Sequence, residues 1–371
     1  MNSNNIIFTD SSRLITESLV RAGADVFIGY PITPANLLYQ YASKRYPVFM
    51  AAPDEITTLQ WMSGFAVSGH IPVTATSFPG YALMIESINM AAMMELPMVI
   101  ILVQRMGPAT GTATRGAQGD ISVIQGTMSG GFSLPTFSLS NAADCWEISA
   151  KAVEVAVKFR TPVILLTSKE EVMTMYSLDK SSLGPINKAN RTFYSGNETF
   201  VPYEPNENLV PEFLPVTSSE HQVRFTASTH DKKGIIQNAS PEALANSKRL
   251  HTKIVSNLKD FTWYDLDEQH EAETLLVSFG ITAQACHEAV AELRNEGEKV
   301  SLLTAKTLLP VPPVYYSVCS RYKRVIFAEE NLTGQYRQLM FGIQPPAHIE
   351  GVNEFGHMIS PMHIKKVIHN A

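Results

Sequence analysis

The sequence has little cysteine, little charge and no long hydrophobic run, and each shortage removes a class of protein. Three cysteines in 371 residues, Cys145, Cys286 and Cys319, stand far apart with no C-x-x-C spacing. They can build neither a disulfide framework nor, on their own, an iron–sulfur or zinc site, since a usual cluster takes about four thiolates. A metal-free chain is therefore expected. The longest apolar run, Met98–Val103, is far short of the ~20 residues that cross a bilayer. Charged residues make up only 17% and the formal net charge is −6, with no basic stripe for a nucleic acid to grip. The opening MNSNNIIFTDSS lacks a cationic segment leading into an apolar one, so a cytoplasmic chain is expected.

What is present is apolar and periodic. Apolar residues make up 45%, and the chain is too long for one ordinary core, so two domains are the first expectation. Asp25–Tyr30, Pro72–Ser77, Met98–Gln104 and Pro162–Ser168 read as strands alternating with helices; Ile148, Ala152, Val155 and Phe159 recur at helical spacing. Near-continuous Val/Ile/Leu in a strand means burial on both faces, as in a parallel sheet covered by helices. A doubly wound α/β domain follows for residues 1–180. Residues 181–268 lose the rhythm in an Asn-, Pro- and Ser-rich connector, with a helix resuming around Pro241–Phe261. From residue 269 to 371 the alternation returns on a smaller scale, with Lys299–Thr307 reading as one strand.

Ligands of open α/β sheets sit beyond the carboxyl ends of the strands. Four segments belong on that rim: Tyr30–Pro34, Pro53–Glu55, Thr76–Gly80 and Gln104–Asp120. Pro and Gly at such turns are ordinary connectors, as Pro34 at a helix start would be. The last segment is different. It spends four glycines, three threonines and two arginines on 17 residues, and long loops inside compact domains tend to be functional.

Two charged residues on this rim bear on function. Glu55 in a helix's first turn could simply complement the helix dipole, worth about 0.3–1 kcal/mol. The nearly uncharged ITTLQWMSGFAVSG after it points to a buried helix, whose partly desolvated carboxylate would suit a group sharing a proton with a ligand. Arg105 ends an apolar strand, where a cation is costly unless it meets an anion; an arginine there can grip a carboxylate bidentately. Arg115 lies further out in the loop and is expected in solvent.

In this order and spacing, YPITP, the D-E-I helix, T-A-T-S-F-P-G and Q-R-M-G-P-A-T-G with its closing Q-G-D resemble the α subunit of 2-oxoacid:ferredoxin oxidoreductases. ASTHDKKG (Ala227–Gly234), FAEENLTGQ (Phe327–Gln335) and GHMISPMHI near the end extend the resemblance over nearly the whole chain. It implies a thiamine diphosphate pyrimidine-binding domain followed by a smaller α/β domain of transketolase C-terminal type. Carried over by position, Glu55 matches the glutamate that hydrogen-bonds pyrimidine N1′, and Tyr30, Pro31, Ile32, Ser77 and Phe78 fall on cofactor-binding positions. Thr33 and Arg105 match the groups that hold the 2-oxoacid carboxylate. Gly107, Pro108, Thr110, Gly111, Thr112 and Arg115 fall on the loop facing the substrate side chain and coenzyme A.

The resemblance also implies partners. The G-D-G pattern of a diphosphate–Mg²⁺ site is missing, so a β subunit is expected to supply that site and an iron–sulfur cluster. A γ subunit and ferredoxin or flavodoxin are expected beside it. The reaction implied is oxidative decarboxylation of a 2-oxoacid, 2-oxoglutarate favoured, to an acyl-CoA, or its reverse. Phe78 departs from the family pattern, which has glycine there, and is expected to reshape the pocket. The two-domain layout also resembles the β chain of lipoamide-linked 2-oxoacid dehydrogenases, and Phe78 leaves a non-catalytic subunit as a further alternative.

Overall fold

The structure is a computed structural model that describes residues 5–218 and 220–370. Met1–Asn4, Ser219 and Ala371 lie outside the described residues, and with them the start of the opening segment MNSNNIIFTDSS. The strands are β1 (Ile6–Asp10), β2 (Val26–Gly29), β3 (Val48–Ala51), β4 (Pro72–Thr76), β5 (Met98–Gln104), β6 (Thr136–Ser138), β7 (Pro162–Ser168), β8 (Met175–Asp179), β9 (Tyr264–Asp267), β10 (Thr274–Ser278), β11 (Val300–Ala305), β12 (Thr307–Leu309), β13 (Arg324–Glu329) and β14 (Ile349–Asn353).

Seven strands form the larger sheet in the order β12-β6-β7-β5-β4-β2-β3. All its neighbours run parallel except β12, which is antiparallel to β6. The unbroken apolar run of β5 is buried along its whole length, and its residues divide by parity. Met98, Ile100 and Leu102 pack with the helices Glu55–Val67 and Phe78–Met93. Val99, Ile101 and Val103 pack with Ser11–Arg21 and Ala142–Phe159. Successive side chains on a strand point to opposite faces, so a strand covered on both sides must be apolar throughout.

The second sheet has the order β14-β13-β10-β11-β9, parallel except for β9 against β11. Leu275, Val277, Leu303 and Phe327 on one of its faces join the same core as Leu59 and Met84. Leu276, Leu302 and Ile326 on the other pack on the helices Thr282–Asn295 and Pro361–His369. The segment expected as a single strand, Lys299–Thr307, divides at Lys306. β11 pairs within the second sheet, whereas β12 crosses to the edge of the first, where the Ser138 amide donates to the Lys306 carbonyl at 2.7 Å.

The connector crosses the end of the first sheet away from the strand C-termini. Arg191 donates to the Gly69 and Gly23 carbonyls at 2.8 and 2.7 Å, and Arg160 to Pro211 and Glu212 at 3.2 and 2.8 Å. A cavity of about 470 Å³ opens there, and the guanidinium groups on its wall are engaged by backbone carbonyls. Beneath it, Glu95 is buried between Arg249 and Lys253. The described residues contain no helix long and apolar enough to cross a membrane.

Candidate active site

The carboxyl ends of β5, β4, β2 and β3 lie side by side, so the turns after them meet on one rim. After β3, the acidic pair Asp54-Glu55 separates into two roles. Asp54 caps the helix, its carboxylate accepting from the Thr57 amide at 2.7 Å. Glu55, the first helical residue, is 6% exposed and lies over the turn that follows β4. A Cβ on Gly80 would stand 2.5 Å from Glu55 Oε1 and closer still to Thr76 Oγ1. Glycine is required there by close approach. No hydrogen bond or ion pair reaches the Glu55 carboxylate among the described residues. The adjoining Ser77 hydroxyl is buried without a partner, and Phe78 begins the next helix half-buried. The helix opened by Glu55 was expected to be buried. Thr58, Leu59 and Met62 are, but Ile56 is 50% and Trp61 37% exposed, because only one face of the helix finds sheet to cover it.

The turn after β2 meets the end of β5. Arg105 Nη1 donates to the Thr33 carbonyl at 2.6 Å, while the Thr33 hydroxyl accepts from Asn36 at 3.0 Å. Ile32 and Thr33 are half-buried; Tyr30 and Pro31 are exposed. Arg105 is itself buried, and its Nε has no partner. The loop beyond returns to the rim at Asp120, whose amide donates to the Gln104 side chain at 3.3 Å. Asp120 Oδ2 is buried and unpartnered as well. Burial pushes the Asp120 carboxyl up to about 7, against the pull of the Arg105 charge.

The loop between these ends is clamped at its base and open at its tip. Met106 and Thr112 pair as an isolated bridge, the Thr112 amide donating to the Met106 carbonyl at 3.0 Å. Gly111 makes the turn with φ +50°, where a side chain would run into that carbonyl. The Gly116 amide donates to Glu170 at 2.9 Å. Pro108, Thr110, Gly111, Thr112 and Arg115 are exposed and Gly107 is half-buried.

Gln118 then ties the loop to the second sheet. Its side chain donates to the Phe279 carbonyl at 2.7 Å and accepts from Thr282 and the Glu330 amide at 3.0 and 2.9 Å. The motif at Phe327–Gln335 completes this clasp. Glu329 accepts from the Tyr336 and Arg337 amides, and Asn331 from Gly334 and Gln335, which caps the helix Gln335–Phe341. Gln335 in turn donates to the Gly119 carbonyl at 2.9 Å.

The structure thus brings Thr33 to Arg105, and Glu55 to the Ser77–Gly80 turn. Sequence reasoning singled out none of Gly80, Gln118, Asp120 and Glu170 as site residues. Gly80, Gln118 and Asp120 lay within recognised motifs; Glu170, in a short helix after β7, carried no signal.

The family model for pyruvate flavodoxin/ferredoxin oxidoreductase, thiamine diphosphate-binding, matches residues 17–249, and the one for pyruvate:ferredoxin oxidoreductase core domain II matches residues 272–348. Fold and rim together define a chain of the thiamine diphosphate-binding α/β class. Among curated proteins, the 2-oxoglutarate synthase subunit KorA of Methanocaldococcus jannaschii is 28% identical over 338 residues, covering 90% of both chains. The 2-oxoglutarate oxidoreductase subunit KorA of Mycobacterium tuberculosis is 31% identical over 347 residues, 90% of this chain and 52% of that one. A solved 2-oxoglutarate:ferredoxin oxidoreductase from Magnetococcus marinus, with 2-oxoglutarate, coenzyme A and succinyl-CoA bound, superposes with a TM-score of 0.89 at 25% identity. This chain aligns over 99% of its own length and spans 65% of that one. The chain belongs to the 2-oxoacid:ferredoxin oxidoreductase family, among its α-type chains.

Proposed function

We propose that this chain is the α subunit of a cytoplasmic 2-oxoacid:ferredoxin oxidoreductase acting on 2-oxoglutarate. The reaction converts the 2-oxoacid and coenzyme A to an acyl-CoA and CO₂, passing electrons to ferredoxin or flavodoxin, or runs in reverse. The observation that carries the reading is Glu55, a residue only 6% exposed whose carboxylate packs on Gly80 and meets no protein donor. That leaves both of its oxygens free to accept from a ligand seated at the rim. With the orphaned Ser77 hydroxyl beside it, the cradle fits the aminopyrimidine of thiamine diphosphate. When bound, that cofactor supplies the carbon nucleophile and electron sink for the decarboxylation.

This chain's own residues then divide the work. Glu55 holds a proton at pyrimidine N1′. Tyr30, Pro31, Ile32, Ser77 and Phe78 line the ring. Arg105 and Thr33 receive the substrate carboxylate, Arg105 with the Nε that has no protein acceptor. Gly107, Pro108, Thr110, Gly111, Thr112 and Arg115 face the substrate's far end and coenzyme A. A β subunit supplies the diphosphate–Mg²⁺ site and an iron–sulfur cluster, with a γ subunit or equivalent domain completing the complex. The exposed apolar side chains Ile56, Trp61 and Leu83 on and beside the Glu55 helix support such a covering partner.

The test is to purify the chain with its native partners and assay viologen reduction against a panel of 2-oxoacids, with and without coenzyme A. CoA-dependent reduction strongest with 2-oxoglutarate, lost in Glu55→Gln, is expected. A Glu55→Gln complex with unaltered turnover, or a lipoyl-bearing partner in place of a cluster-bearing one, overturns the reading.

A further inference from the structure

Arg105 and Asp120 are buried opposite charges at the end of β5, close enough for each to feel the other but not joined. Arg105 Nε and Asp120 Oδ2 each lack a hydrogen-bond partner, and no ion pair links the two residues among the described residues. Their separation is built in. Arg105 is held by the Thr33 carbonyl, and the Asp120 backbone by Gln104. On its other side the loop is anchored through Gln118 to the second sheet, so the Asp120 backbone is held from both sides.

We infer that Asp120 is a positioning residue that takes up a proton when a 2-oxoacid carboxylate docks on Arg105, making substrate binding and proton uptake one event. This rests on the function proposed above and deepens it. Without substrate, Arg105 is the positive charge that favours an ionised Asp120. A docked carboxylate neutralises that charge and adds a second anion in the same desolvated space. Like charges in such a space cannot both persist, and the substrate is held by its own bonds to Arg105, so Asp120 is the group that yields. The protonated Asp120 then offers an O–H donor where its anion would repel.

The groups facing Asp120 are few. From β5 comes Arg105, and from the helix Phe78–Met93 comes Tyr81, whose hydroxyl is engaged with Thr127 at 2.8 Å and feels the Asp120 charge. From the second sheet, Glu330 lies behind Gln118 with its carboxylate turned to the Ile359 amide at 3.1 Å. Glu170 is turned to the Gly116 amide.

With the free carboxyl at about 7, the proton uptake per substrate should be larger at pH 8, where it can reach about 0.9, than at pH 6, where it cannot exceed about 0.1. Affinity for the substrate should fall about tenfold per pH unit above that value. The experiment is calorimetric titration of the assembled complex with N-oxalylglycine, a 2-oxoglutarate mimic that resists decarboxylation, in two buffers of different ionisation enthalpy at each pH. Asp120→Asn should bind without uptake at pH 8 and with affinity independent of pH. Wild-type binding with no uptake at pH 8, or an Asp120→Asn complex that retains the uptake, overturns the inference while leaving the function intact. The wild-type measurement stands even if the variant does not assemble. A complex that neither binds the mimic nor turns over any 2-oxoacid overturns the function, and this inference with it.

Discussion

Substituting alanine for Gly80 probes the geometry around Glu55 without touching a polar group. The added methyl would stand 2.5 Å from Glu55 Oε1 and 2.7 Å from Glu55 Cγ. Ordinary van der Waals contact requires the carboxylate to retreat by about 1 Å. Thr76 Oγ1 blocks the methyl on its other side, so the backbone cannot absorb the clash by shifting that way. Overpacking of this kind costs about 1–3 kcal/mol of stability. A misplacement of about 1 Å at a catalytic group costs about a hundredfold in rate. Gly80→Ala in the assembled complex should therefore lower the melting temperature modestly and 2-oxoacid-dependent viologen reduction severely. Adding Glu55→Asp, which withdraws the carboxylate by one methylene, should restore part of the lost stability and none of the activity. The coupling is measured as a double-mutant cycle by calorimetry. Wild-type turnover and an unchanged melting temperature in Gly80→Ala would refute the packing of Glu55 on that turn and the role built on it.

Two further predictions concern stability. Glu95 is the buried anion among Arg160, Arg249 and Lys253, whose charges hold its carboxyl down to about 2 despite burial. Because the folded value lies below the ordinary glutamate value of 4.5, its contribution is present above 4.5 and lost as pH falls from there toward 2. Glu95→Gln should cost about 3–5 kcal/mol at neutral pH and flatten the acid limb of the stability curve, read by urea denaturation across pH. Gln118→Ala would leave the Phe279 carbonyl and the Glu330 amide unpaired, at about 1–3 kcal/mol for each group. Denaturation midpoints at neutral pH check this, and a loss below 1 kcal/mol would mean the clasp between the sheets is held elsewhere.

Much of this fold is legible in sequence where burial is two-sided. β5 and β7 read correctly because a strand covered on both faces has no polar position to confuse the pattern. β6, three residues long, escaped for lack of a window in which any period could register. The break at Lys306 was invisible for another reason. Its flanks look alike locally, and only pairing with Phe137, far away in sequence, tells β12 from β11. The exposed face of the helix beginning at Glu55 was equally hidden, since an apolar side chain reads the same whether it meets this chain's core or awaits another's.

By itself the sequence determined the alternation that makes a parallel α/β chain and the residue types its turns carry, including the acid at 55 and the arginine at 105, because both follow from neighbours a few positions apart. Only the tertiary structure decided which turns meet. It seated Glu55 on Gly80, tied Arg105 to the Thr33 carbonyl and returned Asp120 to the mouth of β5. Those contacts are fixed by strand order and by the burial of whole sheet faces, and no local pattern encodes either.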